Sequence, residues 1–402
     1  APPAVPSAPA APPELTARLL WVMATACGVV VANLYYNQPL LEDLARHFGS
    51  TRAQAGLVST AAQVGYGVGL FFFVPLGDLL ERRRLVLGLL WACTAVLAGM
   101  AAAPSLLLLI VCQLLVGATG VGAQVLIPLA IDLSPPARRG RTIGVMMAGL
   151  LCGILLARTV SGALADRAGW RAVYVAAVAA TALLGVVLHA TLPHHPPTLR
   201  TGYGSLLRSM LGLLRDHPPL WTASAVSGLS FAGFTAFWTS LSFLMAERFG
   251  LGATEAGRFG VVGVAGALAA PLAGRVSDRY GPAVAVTAAL AASAVAFGVM
   301  WAWVTIPALV VGVLLMDLGV QSIQVAEQSL VMALDPAARS RLNTVYMVAR
   351  FMGGAGGSAA GALAWTHWRW PGVCGLSLAF VGAGVLVHAL GPKVRRAAVT
   401  SP

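Results

Sequence analysis

Four charged residues lie inside long apolar stretches of the sequence: Arg158, Asp317, Glu327 and Arg350. A charged side chain at membrane depth costs about 2.5–3.5 kcal/mol, so such residues are functional candidates by default. We interpret Asp317 and Glu327 as candidates for proton coupling. The alternatives are a structural ion pair between Asp317 and Arg350, and a gate or interfacial position for Glu327. Arg158 either holds an anionic group or forms a structural ion pair.

Uncharged polar side chains extend this pattern along the stretch that holds Asp317. Asp317, Gln321, Gln324 and Gln328 follow one another at i, i+4, i+7 and i+11, the spacing of one helix face. Similar stripes occur in two other apolar stretches: Gln113, Gly117, Gly120 and Gln124 in one, and Ser227, Phe231, Phe234 and Trp238 in the other. The spacing places each set of side chains on one face of its predicted helix.

The composition and the apolar runs predict the elements that carry these residues. Of the 402 residues, 58% are hydrophobic and 10% are charged, and the mean hydropathy is +0.81. These values lie outside the range of soluble globular proteins and supply about a dozen apolar runs of roughly 20 residues, the length of a membrane-spanning helix. We therefore predict an all-α polytopic membrane protein with 12 transmembrane helices in the lipid bilayer.

The sequence repeats itself at an offset of about half its length. The segment Leu133–Arg138 is echoed by Leu334–Arg339, and Trp170–Arg171 is echoed by Trp368–Arg369. An even number of spans per repeat makes the two units parallel six-helix bundles related by a pseudo-twofold axis. The predicted parts are a disordered tail 1–14, a first bundle 15–192, a cytoplasmic linker 193–220, a second bundle 221–392 and a tail 393–402.

Arginine and lysine residues fall mainly on one side of the predicted membrane. If both termini lie on that side, 17 of the 26 arginine and lysine residues lie there and 7 lie on the opposite side. The other two, Arg158 and Arg350, lie within the membrane. The positive-inside rule then places both termini in the cytoplasm, for a multi-pass protein of a bacterial-type cytoplasmic (inner) membrane. The net charge of +12 is therefore a topology signal, and we expect no nucleic-acid partner.

Residue types that bind metals or catalyse reactions form no recognisable pattern in the sequence. The five cysteines are odd in number without paired spacing, and the histidines around 189–195 match no metal-site spacing. There is no glycine–lysine phosphate-binding motif and no nucleophile–base set. We therefore expect no metal, no cofactor, no drive by ATP and no enzymatic activity. The first 13 residues lack the basic segment of a signal peptide.

Two loop motifs in matching positions give the chain a resemblance to the major facilitator superfamily over about residues 15–392. A glycine followed four positions on by an acidic residue and then by arginine stands at Gly77–Arg82, and again at Gly274–Arg279. The segment Asn33–Leu40 is similar to the bacterial branch of drug and metabolite exporters, whose members include drug:proton antiporters. In that branch's motif for span 5, Ile154 and Ala157-Arg158 replace the expected proline and glycine pair.

The resemblance implies two bundles that alternate access to a cavity lined by spans 1, 4, 7 and 10. The substrate-binding candidates are polar, aromatic and basic residues of that cavity: Asn33, Tyr36, Asn37, Gln63, Gln124, Arg158, Phe234, Trp238, Gln321, Gln324, Gln328, Tyr346 and Arg350. The gating candidates belong to the loop motifs: Gly77, Asp78, Glu81, Arg82, Arg138, Gly274, Asp278, Arg279 and Arg339. Gln113 stands where the family's span-4 arginine is expected.

The resemblance further implies secondary active transport of a small organic solute. The leading hypothesis is proton-coupled efflux of a drug-like compound or metabolite. The alternative is uptake or exchange of an organic anion held by Arg158 and Arg350, and a minor alternative is a receptor or scaffold that does not transport. The expected partners are a small-molecule substrate, protons as the coupling ion and the lipid bilayer, and we expect a monomer.

Overall fold

The computed structural model describes residues 15–194, 202–268, 279–335 and 338–391, and their regular structure is entirely helical. Several helices begin where a hydroxyl side chain accepts a backbone N–H that would otherwise lack a partner: Thr16, Thr51, Ser105 and Thr305. The helices of the first half are α1 (Ala17–Tyr35), α2 (Arg52–Phe72), α3 (Arg82–Ala101), α4 (Leu106–Asp132), α5 (Arg139–Ala168) and α6 (Trp170–Thr191).

The second half has the same number of spans. Its helices are α7 (Pro218–Phe249), α8 (Ala253–Leu268), α9 (Pro282–Ala302), α10 (Ile306–Ala333), α11 (339–368) and α12 (370–390). Helices α11 and α12 run on from one another, separated only by a kink at Arg369, whose φ is 53°. A linker helix, Tyr203–Asp216, lies between the halves.

The predicted twelve-helix fold is confirmed. Among the described residues, ten helices are long and apolar enough to cross a membrane. One of them contains both α11 and α12, and α8, with 16 described residues, completes the twelve.

Helix α4 departs from the sequence prediction because it is broken in the middle. Regular helix ends at Thr119 and resumes at Gly122. The two glutamines of the predicted stripe consequently do not share one face: Gln113 is fully buried and donates to the carbonyl of Asn33 (3.4 Å), whereas Gln124 is half-buried and donates to the Tyr66 hydroxyl (3.2 Å). The predicted stripe along α4 is therefore interrupted at Gly120.

The two halves meet along α2 and α11 on one side and along α5 and α8 on the other. We call the end of the bundle that carries the linker helix the linker end, and the opposite end the far end. In the α2–α11 contact, the Thr60 hydroxyl donates to the Ser358 hydroxyl (3.2 Å). In the α5–α8 contact, the Thr159 hydroxyl donates to the Gly257 carbonyl (3.2 Å).

Contacts between the halves close the far end. The closing contacts between the halves lie in the far-end parts of α2, α5, α8 and α11, where small residues let the backbones approach closely. On the α2–α11 side, the contacts between the halves extend to Gly67 and Met352, and the rings of Tyr66 and Phe351 lie 4.4 Å apart.

Candidate functional site at the boundary of the halves

Arg158 of α5 lies at this boundary and contacts both halves. Its side chain is only 4% exposed, and its Nε donates a hydrogen bond of 2.6 Å to Oε1 of Gln38, just after α1. The guanidinium carbon lies 3.8 Å from the ring centroid of Trp238 on α7 and 4.9 Å from that of Tyr35. Cation–π contacts of this kind stabilise a desolvated charge. Arg158 therefore connects the first half to α7 of the second.

Asp317 of α10 lies against α8, the helix that also packs against Arg158. A Cβ atom at Gly260 would lie 3.1 Å from Cβ of Arg158. A Cβ atom at Gly263 would lie 3.0 Å from Oδ2 of Asp317. Residues three apart share a helix face, so two glycines of α8 leave room for a basic residue of one half and an acidic residue of the other.

The charges of Arg158 and Asp317 attract each other without forming a direct ion pair. They lie within electrostatic range. Nη2 of Arg158 and Oδ2 of Asp317 are both buried and lack a hydrogen-bond partner among the described residues. The alternative expectation, an ion pair between Asp317 and Arg350, has no counterpart among the ion pairs that these residues form. A basic side chain of one half and an acidic side chain of the other, each with a buried polar atom that lacks a partner among the described residues, thus both lie against α8.

Arg350 of α11 forms a separate centre. Its Nη1 donates to the Ser227 hydroxyl (2.9 Å), and its guanidinium carbon lies 4.3 Å from the ring centroid of Phe231. The Tyr346 hydroxyl donates to the same Ser227 oxygen (2.9 Å). Tyr35 is within electrostatic range of both Arg158 and Arg350, so this tyrosine lies between the two arginine centres.

Aromatic rings surround these centres and join three helices. Phe231 and Phe234 of α7 stack with centroids 5.4 Å apart, and Phe234 lies 6.1 Å from Trp238. Phe351 of α11 lies 5.3 Å from Phe231 and 4.4 Å from Tyr66 of α2. The structure thus brings Phe234, Trp238 and Arg350 into one neighbourhood, and adds Phe351 and Tyr66, which the sequence analysis did not select.

The candidates on α1 and α2 lie elsewhere. Asn33 donates to Sγ of Cys93 (3.7 Å), and Asn37 accepts from the Ser59 hydroxyl (2.5 Å). Both asparagines are buried, and these hydrogen bonds stay within the first half. The other two candidates here are the half-buried Tyr36 and the buried Gln63, whose Oε1 lacks a partner among the described residues.

The glutamines of α10 divide into two kinds. Gln321 and Gln324 are half-buried, and their side chains make no hydrogen bond within the described part of the chain. Gln328 donates to Oδ1 of Asn343 on α11 (2.6 Å). Glu327 is buried, 5% exposed, and within electrostatic range of Tyr346. Gln321 and Gln324 therefore retain free amide groups that a solute could use.

The first loop motif is built around Arg82. This side chain pairs with Asp132 (2.5 Å) and Asp78 (3.4 Å), and its Nε donates to the carbonyl of Gly77 (3.0 Å). Glu81 instead pairs with Arg84 (2.7 Å). Asp132, at the end of α4, was missed by the sequence analysis, although an acid directly before a basic loop was a usable signal.

The remaining gating candidates lie outside this cluster. Arg138 is exposed, the Arg279 guanidinium carbon lies 5.3 Å from the Tyr280 ring centroid, and Arg339 donates to the carbonyl of Met332 (3.2 Å). Gly274 and Asp278 lie outside the described residues.

Comparisons with known proteins agree with this architecture. The family model described as Major Facilitator Superfamily matches residues 23–358 and 226–401. An uncharacterized transporter of Escherichia coli O157:H7, YgaY, is 39% identical over 372 residues, which cover 92% of this chain and 94% of the relative. The probable transporter SCO4007 of Streptomyces coelicolor is 36% identical over 385 residues, covering 95% and 89% respectively.

A solved structure gives the same fold at low sequence identity. The nucleoside transporter NupG superimposes with a TM-score of 0.75 at 14% identity, covering 92% of this chain and 98% of that one. Helix order, the duplicated halves and the matches over nearly the whole chain agree. This multi-pass membrane transporter belongs to the major facilitator superfamily.

Proposed function

We propose that the protein is a proton-coupled secondary active transporter that exports a small organic solute across the cytoplasmic membrane. The excess of arginine on the loops of the linker end, including Arg82, Arg83 and Arg84, supports a cytoplasmic position for that end. On this proposal the closed far end is the external gate, and the state in which this gate is closed is the inward-facing state.

The observation that carries the proposal is the juxtaposition of Arg158 and Asp317 across the boundary of the halves. An ionised Asp317 attracts Arg158 and stabilises the closed far end, and this attraction is strong because the surroundings are poor in water. A protonated Asp317 loses the attraction. Since the proton changes the relative free energy of the two states, it shifts their populations.

This coupling has a direction that fits export. On this proposal Asp317 releases its proton to the cytoplasm in the inward-facing state, in which it lies close to the positive charge of Arg158. When the external gate opens, the halves separate and Asp317 binds a proton from outside. The empty carrier takes this proton to the cytoplasmic side, where its release restores the attraction to Arg158 and stabilises the inward-facing state, in which the next solute binds.

On this proposal the solute site lies between the halves, on the linker side of this pair. Gln321 and Gln324 offer amide groups without partners among the described residues, and Phe231 and Phe351 offer aromatic surface. Such a combination suits a small organic molecule with a ring and a few hydrogen-bonding groups. Proteoliposomes with an imposed pH gradient and a panel of cationic, neutral and anionic solutes test the proposal, and solute-dependent proton movement is the expected result. Solute flux that moves no protons would contradict it.

Arg350 supports a second candidate function, the uptake or exchange of an organic anion. Among the described residues, Ser227 is the hydrogen-bond partner of its guanidinium group, which leaves further N–H groups for an anionic solute. On this hypothesis, Arg350→Gln weakens binding of an anion at least tenfold, a loss of about 1.4 kcal/mol, and leaves a neutral analogue unaffected. Equilibrium binding of both compounds to purified protein measures the difference. Equal losses for both compounds would reject the anion hypothesis.

A further inference from the structure

At the far end, a residue of the first half caps a helix of the second. Helix α8 begins at Ala253. Its backbone N–H groups at Ala253 and Thr254 donate to the two carboxylate oxygens of Asp166 on α5, at 3.3 and 2.8 Å. The first N–H groups of a helix have no partner within the helix, and a negative charge there also interacts favourably with the helix dipole. The cap of α8 is therefore supplied across the boundary of the halves.

The surrounding residues are shaped to admit this carboxylate. A Cβ atom at Gly252 would lie 3.1 Å from both oxygens of Asp166, which is tighter than ordinary van der Waals contact. One turn earlier on α5, Gly162 packs directly against the backbone of Ala253, and its carbonyl accepts from the Thr254 hydroxyl (3.4 Å). Two glycines, one from each half, thus permit the approach that the cap requires.

A second charged junction closes the opposite side of the far end. Glu247, at the end of α7, pairs with Arg52 of the first half and with Arg369 at 3.0 Å. Arg52 is itself held by both oxygens of Glu42, at 2.8 and 3.2 Å. The Arg52–Glu247 pair is partly exposed, and such pairs contribute little. The Asp166 cap differs from this ion pair, because opening of the far end would also remove the carboxylate that accepts the N–H groups of Ala253 and Thr254.

We propose that Asp166 is a positioning residue that biases the transporter towards the state with the closed far end by capping α8 across the boundary. The inference rests on the proposed alternation between two states. When the far end opens, Asp166 moves away with α5 and α8 loses its cap. The closed state is therefore favoured by the free energy of this cap, before any solute or proton binds.

The test measures the ratio of open to closed far ends directly. Spin labels at Ala102 and Trp303, two exposed far-end positions in different halves, report the separation by pulsed electron resonance in a Cys152→Ala background, since the other four cysteines are buried. Asp166→Ala is expected to raise the open-to-closed ratio about two- to thirtyfold, the effect of losing a helix cap. Gly252→Ala displaces the carboxylate from the other side and is expected to act in the same direction.

A double variant and a control make the test specific. Asp166→Ala combined with Gly252→Ala is expected to shift the ratio no further than Asp166→Ala alone, because both changes remove one contact. Glu255→Ala serves as the control: its carboxylate accepts from the Gly252 N–H within the second half (3.2 Å) in either state, so the ratio should stay unchanged.

An unchanged ratio in Asp166→Ala, or fully additive shifts in the double variant, would overturn the inference. The measurement uses neither solute nor a pH gradient. A failure of proton coupling would therefore leave the predicted shift in place, and the two proposals can fail separately.

Discussion

Asp317→Asn is expected to reduce pH-gradient-driven transport to the level of protein-free liposomes while solute-for-solute exchange continues. Asparagine has the shape of aspartate but binds no proton, so the cavity and its solute contacts remain whereas the link to the proton gradient is lost. Transport into and out of proteoliposomes, measured with and without an imposed gradient, separates the two activities.

Glu327→Gln is the matched control for this prediction. Glu327 is also buried on α10, but it lies near Tyr346 of its own half, not opposite a basic residue of the first half. We therefore expect Glu327→Gln to retain gradient-driven transport. Full activity of Asp317→Asn, or an equal loss in Glu327→Gln, would contradict the assignment of the proton to Asp317.

Arg158→Met is expected to lower the free energy of unfolding by about 1–3 kcal/mol, because it leaves the buried Asp317 without the opposite charge nearby. The double variant Arg158→Met with Asp317→Leu is expected to recover most of this loss, since two apolar side chains of similar size replace the buried pair. Thermal unfolding can be followed with a thiol-reactive dye in a Cys152→Ala background, because Cys27, Cys93 and Cys374 are buried until the protein unfolds.

Arg350→Met provides the control for this cycle. Arg350 has Ser227 and Phe231 as partners and no direct ion pair among the described residues, so adding Asp317→Leu should not rescue it. If Asp317→Leu rescued both arginine variants equally, or neither, the specific coupling of Arg158 to Asp317 would be refuted. If the double variant Arg158→Met with Asp317→Leu recovered its stability but not its transport, the pair would be needed for proton coupling and not for folding.

Much of the fold followed from periodicity and repetition alone. Apolar runs long enough to cross a bilayer and an echo at half the chain length fix the number of helices and their pairing into two bundles. The break in α4 was missed because Gly120 and Val121 lie inside an uninterrupted apolar run. The boundary of α11 and α12 at Arg369 coincides with the echo of Trp170–Arg171 at Trp368–Arg369, whereas the positive φ of Arg369 is not revealed by its residue type.

The sequence pointed to the charged residues of the candidate site, but not to the residues that each of them contacts. Asp317, Arg158 and Arg350 stand out because charges are rare in apolar runs. Which arginine lies near Asp317 depends on how α5 of the first half packs against α8 and α10 of the second. The spacing of residues along one helix does not reveal this packing, in which Gly260 and Gly263 of α8 lie at the contacts. Gly260, Gly263, Gln38 and Asp166 therefore became visible only when the helices were placed against each other.

The central claim, that Asp317 binds the proton that shifts the two states, can be measured without knowing the solute. The distance between spin labels at Ala102 and Trp303 should be recorded over a range of pH in the otherwise native protein and in Asp317→Asn. The account predicts that acidification raises the open fraction of the far end in the native protein, because protonation removes the attraction to Arg158. It predicts a high, pH-independent open fraction in Asp317→Asn. A pH dependence of Asp317→Asn equal to that of the native protein would contradict the account.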